Sequence, residues 1–164
     1  MFEKTGIPSE EMVMGIFPTI DRINQGPVAV VECYKEIPCN PCQTACKFNA
    51  IIVGEDINNI PKVNDENCTG CAICLSKCPG LAIMVIDGSK SDETVQIRIP
   101  YEFLPLPKEG DVVKGLSREG KHITDVKILK VLNPKSFDRT PVITFEVNRK
   151  YMYDIRNIKT EVRS

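Results

Sequence analysis

The chain predicts an α+β fold that continues into an all-β one. Three observations predict it. All eight cysteines fall between Cys33 and Cys78, flanked by short runs of β-forming residues. Beyond residue 94, apolar and polar residues alternate with a period of two. Between these stretches, Asp87-Gly88-Ser89-Lys90-Ser91-Asp92 is polar and rich in turn formers. We divide the chain into an N-terminal arm (1–27), a cysteine-rich unit (28–88) and a small barrel-like β unit (93–164).

The elements follow in order. Ser9-Glu10-Glu11 starts a short helix, with Ser9 at its N-cap. Pro18, Gly26 and Pro27 keep the arm from forming anything longer. Val28 to Glu32 reads as a strand that leads into the first cysteine loop. Ile51 to Val53 is a strand, and Ile60 to Val63 returns beside it. Residues 72–77 form one or two helical turns, and Leu81 to Ile86 is the matching strand. Val95, Ile97 and Ile99 mark a half-buried strand. Val126 to Leu132 and Val142 to Val147 are two more, and about five such strands suit a small closed barrel or sandwich.

The cysteines carry the chemistry. Cys68, Cys71, Cys74 and Cys78, followed by Pro79, form Cys-x2-Cys-x2-Cys-x3-Cys-Pro. A shorter copy lies 32 residues upstream, where Cys39, Cys42 and Cys46 align with Cys71, Cys74 and Cys78. Ala50-Ile51 then aligns with Ala82-Ile83, and Val53 with Val85. Such repetition marks one supersecondary unit used twice. Glu36 stands where the leading cysteine would map, and Cys33 is the one cysteine left to complete the set. Soft thiolates in this pattern suit iron–sulfur clusters, and eight ligands suffice for two of the 4Fe–4S type. In such runs the fourth cysteine serves the other cluster. Cluster one then takes Cys33, Cys39, Cys42 and Cys78, and cluster two takes Cys46, Cys68, Cys71 and Cys74. Structural zinc and disulfides are the alternatives. Zinc sites pair two Cys-x2-Cys knuckles across a spacer, and disulfide scaffolds are denser in cysteine.

Residues 33–86 resemble the bacterial ferredoxins with two 4Fe–4S clusters. The resemblance implies a ferredoxin-like domain of two short hairpins and two short helices. This chain departs from that family in its leading cysteine and in having Lys47-Phe48 where proline is usual. A positive charge at Lys47 would favour the reduced form of cluster two. A narrower resemblance rests on Val31-Glu-Cys-Tyr-Lys-Glu-Ile-Pro-Cys-Asn-Pro-Cys42 and Cys68-Thr-Gly-Cys71. That stretch is similar to the small iron–sulfur subunits of heteromeric FAD-dependent amine and amino-acid dehydrogenases. These are of the hydrogen cyanide synthase and D-hydroxyproline dehydrogenase type. The resemblance implies FAD and the substrate site on a partner flavoprotein subunit of a hetero-oligomer. It also makes the C-terminal unit a docking module.

Composition narrows the remaining classes. One His and no Trp leave little room for histidine-based chemistry. No serine–histidine–aspartate set, phosphate-cradling loop or dinucleotide fingerprint is present, so an electron-transfer rather than a catalytic role is expected. The N-terminus lacks a basic start followed by an apolar stretch, and no apolar run is long enough to span a membrane. A cytoplasmic location follows as the expectation. Residues 1–94 carry 7 basic and 13 acidic side chains, whereas residues 95–164 carry 14 and 9. The basic set Lys127, Lys130, Lys135, Arg139, Arg149 and Lys150, interleaved with Phe137, Phe145, Tyr151 and Tyr153, offers the alternative of a redox-sensing nucleic-acid binder. Its modest net charge argues against nucleic acid. A free-standing ferredoxin is the other alternative, and the added arm and β unit argue against that.

Overall fold

The computed structural model describes residues 2–160. The arm is helical: α1 is Phe2–Thr5, α2 is Glu10–Ile16 and α3 is Ile20–Gln25. The Ser9 side chain accepts a hydrogen bond from the Met12 amide at 3.2 Å, and Thr19 does the same for Arg22. Each satisfies an amide that the first helical turn leaves without a partner. Glu10 and Glu11 place negative charge at the positive end of α2.

The cysteine-rich stretch holds β1 (Val28–Val31), α4 (Pro41–Ala45), β2 (Ile51–Ile52), β3 (Lys62–Val63), α5 (Ile73–Lys77) and β4 (Ile83–Asp87). Strands β5 (Thr94–Pro100), β6 (Val112–Ser117), β7 (His122–Leu132), β8 (Val142–Asn148) and β9 (Ile155–Lys159) follow. Strands β2 and β3 pair as a small hairpin. The other seven form one antiparallel sheet in the order β1-β4-β5-β8-β7-β6-β9. Its edges are β1 and β9.

Residues 87–92, read from sequence as a boundary, lie in a hairpin connection inside this sheet. Strand β4 pairs with β5 directly across it, with Ile86 opposite Ile97. Segments 28–88 and 93–164 therefore share one sheet. The polar composition of the turn has a local cause. The Asp87 carboxylate accepts from the Ser89 amide and hydroxyl, and Arg149 donates to the carbonyls of Gly88 and Ser91. An Asx-type turn of this kind needs polar residues whether or not a domain ends there.

Two cores lie on opposite faces of the β1–β4 pair. Val28, Val30, Met84 and Ile86 join the larger core with Ile97, Ile99, Ile128, Ile143 and Phe145. Ala29, Val31, Ile83 and Val85 face the other way, onto Leu75, Ile51 and the cysteine loops. Side chains alternate across a strand, so a strand buried on both faces must be apolar throughout. This is why Val28–Val31 and Ile83–Ile86 read as unbroken apolar runs.

Strands β6 and β9 escape the period-two reading. Register shifts fall between Gly115 and Leu116 and between Leu116 and Ser117. A bulge inserts a residue and breaks the alternation on which the reading depends.

Candidate metal centre

The two cysteine loops are built alike. Helix α4 carries Cys42 and ends at Cys46; helix α5 carries Cys74 and ends at Cys78. The two helices pack against each other. After each terminal cysteine the chain turns through a left-handed residue, Asn49 (φ 54°) or Leu81 (φ 51°), which occupy equivalent positions in the repeat. The next amide then points back at the cysteine. Ala50 donates to Cys46 Sγ at 3.3 Å, and Ala82 donates to Cys78 Sγ at 3.4 Å. The aligned Ala-Ile pairs thus have a structural reason. Leu81 is an unusual residue in that backbone region, and its strain is held by the loop around it.

The eight thiols fall into two neighbourhoods. Burial first, then the neighbouring Cys78 and Cys39, push the Cys33 thiol up. Burial pushes Cys42 up as well; the Gln43 amide opposes this, and Cys78 and Cys39 reinforce it. Cys74 is pushed up to about 12 by burial and then by Cys68, Cys71, Cys46 and Cys42. At Cys46 burial is outweighed by the backbone amides of Ala50, Phe48, Ile51 and Asn49, so its thiol lies below the ordinary range. The structure therefore gathers Cys33, Cys39, Cys42 and Cys78 on one side. Cys46, Cys68, Cys71 and Cys74 gather on the other, and the Cys42–Cys74 proximity joins the two sets. All eight are free thiols.

A cavity lies at the second set. It is lined by Cys46, Cys68, Cys71 and Cys74 together with Ala29, Ala45, Gly70 and Ala72. Its small residues leave backbone close to the thiols. Among the described residues no three His, Cys, Asp or Glu side chains converge tightly enough to hold a single metal ion. A mononuclear zinc site needs each thiolate about 2.3 Å from one centre. Four thiols set around a cavity suit a larger, multi-atom group, and the soft donor set suits iron and sulfide.

Arginines hold the loops from outside. Arg22 donates from Nε to the Asp65 carbonyl at 2.9 Å and from Nη2 to the Cys68 carbonyl at 2.9 Å. It also reaches the carbonyls of Gly26 and Pro27. Arg98, on β5, donates to the Gly70 carbonyl at 2.7 Å. Ala29, on β1, donates its amide to Cys68 Sγ at 3.3 Å. Near the first set, Glu32 is ion-paired with Arg118 and lies 3.6 Å from Arg156 Nε. Arg156 also donates to the Leu81 carbonyl at 2.9 Å. Burial and then Glu32 push the neighbouring Tyr34 phenol up to about 12, while Arg118 and Arg156 pull it back. Lys47 is exposed.

None of these arginines was legible as a site residue. Arg98 sits on the polar register of an alternating strand, where the pattern reports only that it faces away from the larger core. Its target is 28 residues away, and Arg22's is 46 away. The basic set considered for nucleic acid is dispersed by comparison. Arg149 is committed to the β4–β5 turn, Phe145 is in the core, and Tyr151 and Tyr153 pack against it.

Comparison with known proteins agrees with the cysteine chemistry over short stretches. The chain is 47% identical over 38 residues to one subunit of the Na(+)-translocating ferredoxin:NAD(+) oxidoreductase complex from Acetobacterium woodii, covering 23% of this chain and 11% of that protein. It is 41% identical over 82 residues to an archaeal-type glutamate synthase (NADPH) from Dehalococcoides mccartyi, covering 50% of this chain and 13% of that protein. No family model and no solved structure matches. The chain spans about a tenth of the length of either relative, so the likeness is that of a segment. Taken with the grouped thiols, the matches identify an iron–sulfur, ferredoxin-like region in this chain.

Proposed function

We propose that this chain is an electron-transfer iron–sulfur subunit carrying two 4Fe–4S clusters. Cys33, Cys39, Cys42 and Cys78 are the ligands of one, and Cys46, Cys68, Cys71 and Cys74 of the other. The observation that carries the reading is the crossed grouping of the thiols, in which the last cysteine of each run stands with the opposite set. When bound, each cluster accepts and returns one electron at a time. The chain's own residues hold the thiolates apart, keep Cys42 and Cys74 away from water, and aim the amides of Ala29, Ala50 and Ala82 at sulfur. All four protein ligands of a cluster are thiolates, which leaves no position for a substrate. The role is therefore relay and not catalysis.

The finer reading places this chain in a hetero-oligomer in the cytoplasm. A flavin on a partner dehydrogenase subunit supplies the electrons, and an external protein or quinone-type carrier accepts them. Exposed Ile37, Phe48 and Ile52 beside the cysteine loops support a partner on that face. Among the described residues no helix is long and apolar enough to cross a membrane. The test is Cys74→Ser in the assembled complex. Substrate should still reduce the partner's flavin, while electron delivery to the natural acceptor is lost. Normal turnover with that acceptor would rule the relay out.

A further inference from the structure

The two cysteine sets sit in unlike electrostatic surroundings, and the arginines and Glu32 that brace them make the difference. Three levers set the potential of a thiolate-held cluster: nearby charge, hydrogen bonds to sulfur, and exposure to water. Reduction adds one negative charge to a cluster already negative, so cations, amide donors and water each favour the reduced form.

Around Cys46, Cys68, Cys71 and Cys74, the Arg22 guanidinium sits on the Cys68 carbonyl and the Arg98 guanidinium on the Gly70 carbonyl. The partners found for both arginines are backbone carbonyls, which carry no net charge to offset them. The Ala29 amide donates to Cys68 Sγ, and the amides of Ala50, Phe48, Ile51 and Asn49 turn toward Cys46. Cys71 is exposed. Around Cys33, Cys39, Cys42 and Cys78, two guanidiniums also approach, those of Arg118 and Arg156. Here Glu32, directly preceding Cys33 and half-buried, is paired with them and cancels one positive charge. The Ala82 amide donates to Cys78 Sγ, and the Gln43 backbone acts on Cys42. None of these four cysteines is exposed.

We propose that Arg22, Arg98 and Glu32 poise the two clusters unequally, so that the Cys46, Cys68, Cys71, Cys74 cluster has the higher potential and holds the resting electron. This rests on the two-cluster reading above. It gives the relay a direction: the electron settles on the cluster whose ligand Cys71 reaches the surface, the side from which an acceptor can draw it. Arg22, Arg98 and Glu32 are positioning residues in this scheme and touch no acceptor.

The test is a redox titration of the anaerobically purified full chain, followed by electron paramagnetic resonance. The native chain should titrate in two resolved one-electron steps. In Arg98→Gln the upper step should fall by about a tenfold change in its equilibrium constant, about 59 mV for one electron. Glu32→Gln should raise the lower step and leave the upper one in place. Arg98→Lys keeps the charge and should restore most of the native upper step; a shift as large as that of Arg98→Gln would show that loop geometry, not charge, is responsible. A single unresolved step, or an Arg98→Gln effect confined to the lower step, would overturn the assignment. A chain with no iron or no paramagnetic signal after reduction would overturn this inference together with the cluster reading. Native potentials in the opposite order, with iron fully present, would overturn this inference alone.

Discussion

Gly70 and Lys47 show how burial decides which residues near the site matter. Gly70 has φ +67°, and a Cβ built on it would lie 2.4 Å from the Pro27 side chain and 2.7 Å from its backbone. Pro27 precedes β1, so neither partner can withdraw. Gly70→Ala should cost about 2 kcal/mol or more, by strain and backbone displacement, and chemical denaturation of the anaerobic protein measures it. Lys47 follows a proposed ligand position yet is exposed, and water and salt screen its charge. Lys47→Glu should therefore leave both potentials nearly unchanged, in contrast to Arg98→Gln. The thiols add a pH dependence. Without metal, Cys33, Cys42 and Cys74 are held above the ordinary thiol range, so they carry protons at neutral pH. Cluster assembly needs thiolates and must release those protons. Reconstitution with iron and sulfide should grow more favourable from about pH 6 to about pH 8, with net proton release seen in weakly buffered solution.

At the scale of elements, the β1–β4 pair separates two cores that should depend differently on the proposed clusters. The larger one is aliphatic and contains Phe145, Ile128, Ile143 and Ile97, all fully buried. The smaller one is built from Ala29, Ala72, Val53, Leu75 and the cysteines themselves. Short helices such as α4 and α5, of five residues each, do not persist without tertiary support. Removing the clusters should expose the amides of α4, α5, β2 and β3 to fast hydrogen exchange, while β5, β7 and β8 stay protected. Uniform loss of protection across the sheet would show that the clusters hold the whole fold.

This division also explains what was legible in the sequence. Local features came through: Ser9 as a cap, Val28 to Glu32 and Leu81 to Ile86 as strands, and the repeat that aligns Ala50 with Ala82. Strands β6 and β9 did not, because bulges at Gly115–Ser117 break their alternation. The turn at 87–92 was legible as a turn but not as a hairpin inside one sheet. Pairing between β4 and β5 leaves no mark on the composition of the loop that joins them. Cysteine spacing suggests the two runs, with Cys33 added as the one cysteine left over. The arginines that brace them were not legible, since each comes from a distant element and reads locally as an ordinary surface cation.

At the scale of the molecule, one buried ion cluster links sequence-distant parts. Glu32 follows the edge strand β1, Arg118 follows β6, and Arg156 lies on the opposite edge strand β9. The sheet must curl for these to meet. The Glu32 side chain is 8% exposed and those of the two arginines 12% and 15%, so removing the carboxylate leaves two guanidiniums, largely out of water, with only backbone carbonyls as partners among those found. Glu32→Ala should cost about 3–5 kcal/mol in denaturant unfolding, whereas breaking the exposed Lys77–Asp138 pair with Asp138→Ala should cost about 0–1 kcal/mol. Arg156 of this ion cluster also holds the Leu81 backbone, in the turn that follows Cys78.

Metal content tests the central claim most directly. The full chain, purified without oxygen, should be brown. It should contain about eight irons and eight acid-labile sulfides, and on reduction it should give the paramagnetic signal of 4Fe–4S clusters. A colourless chain that binds zinc in place of iron would contradict the account.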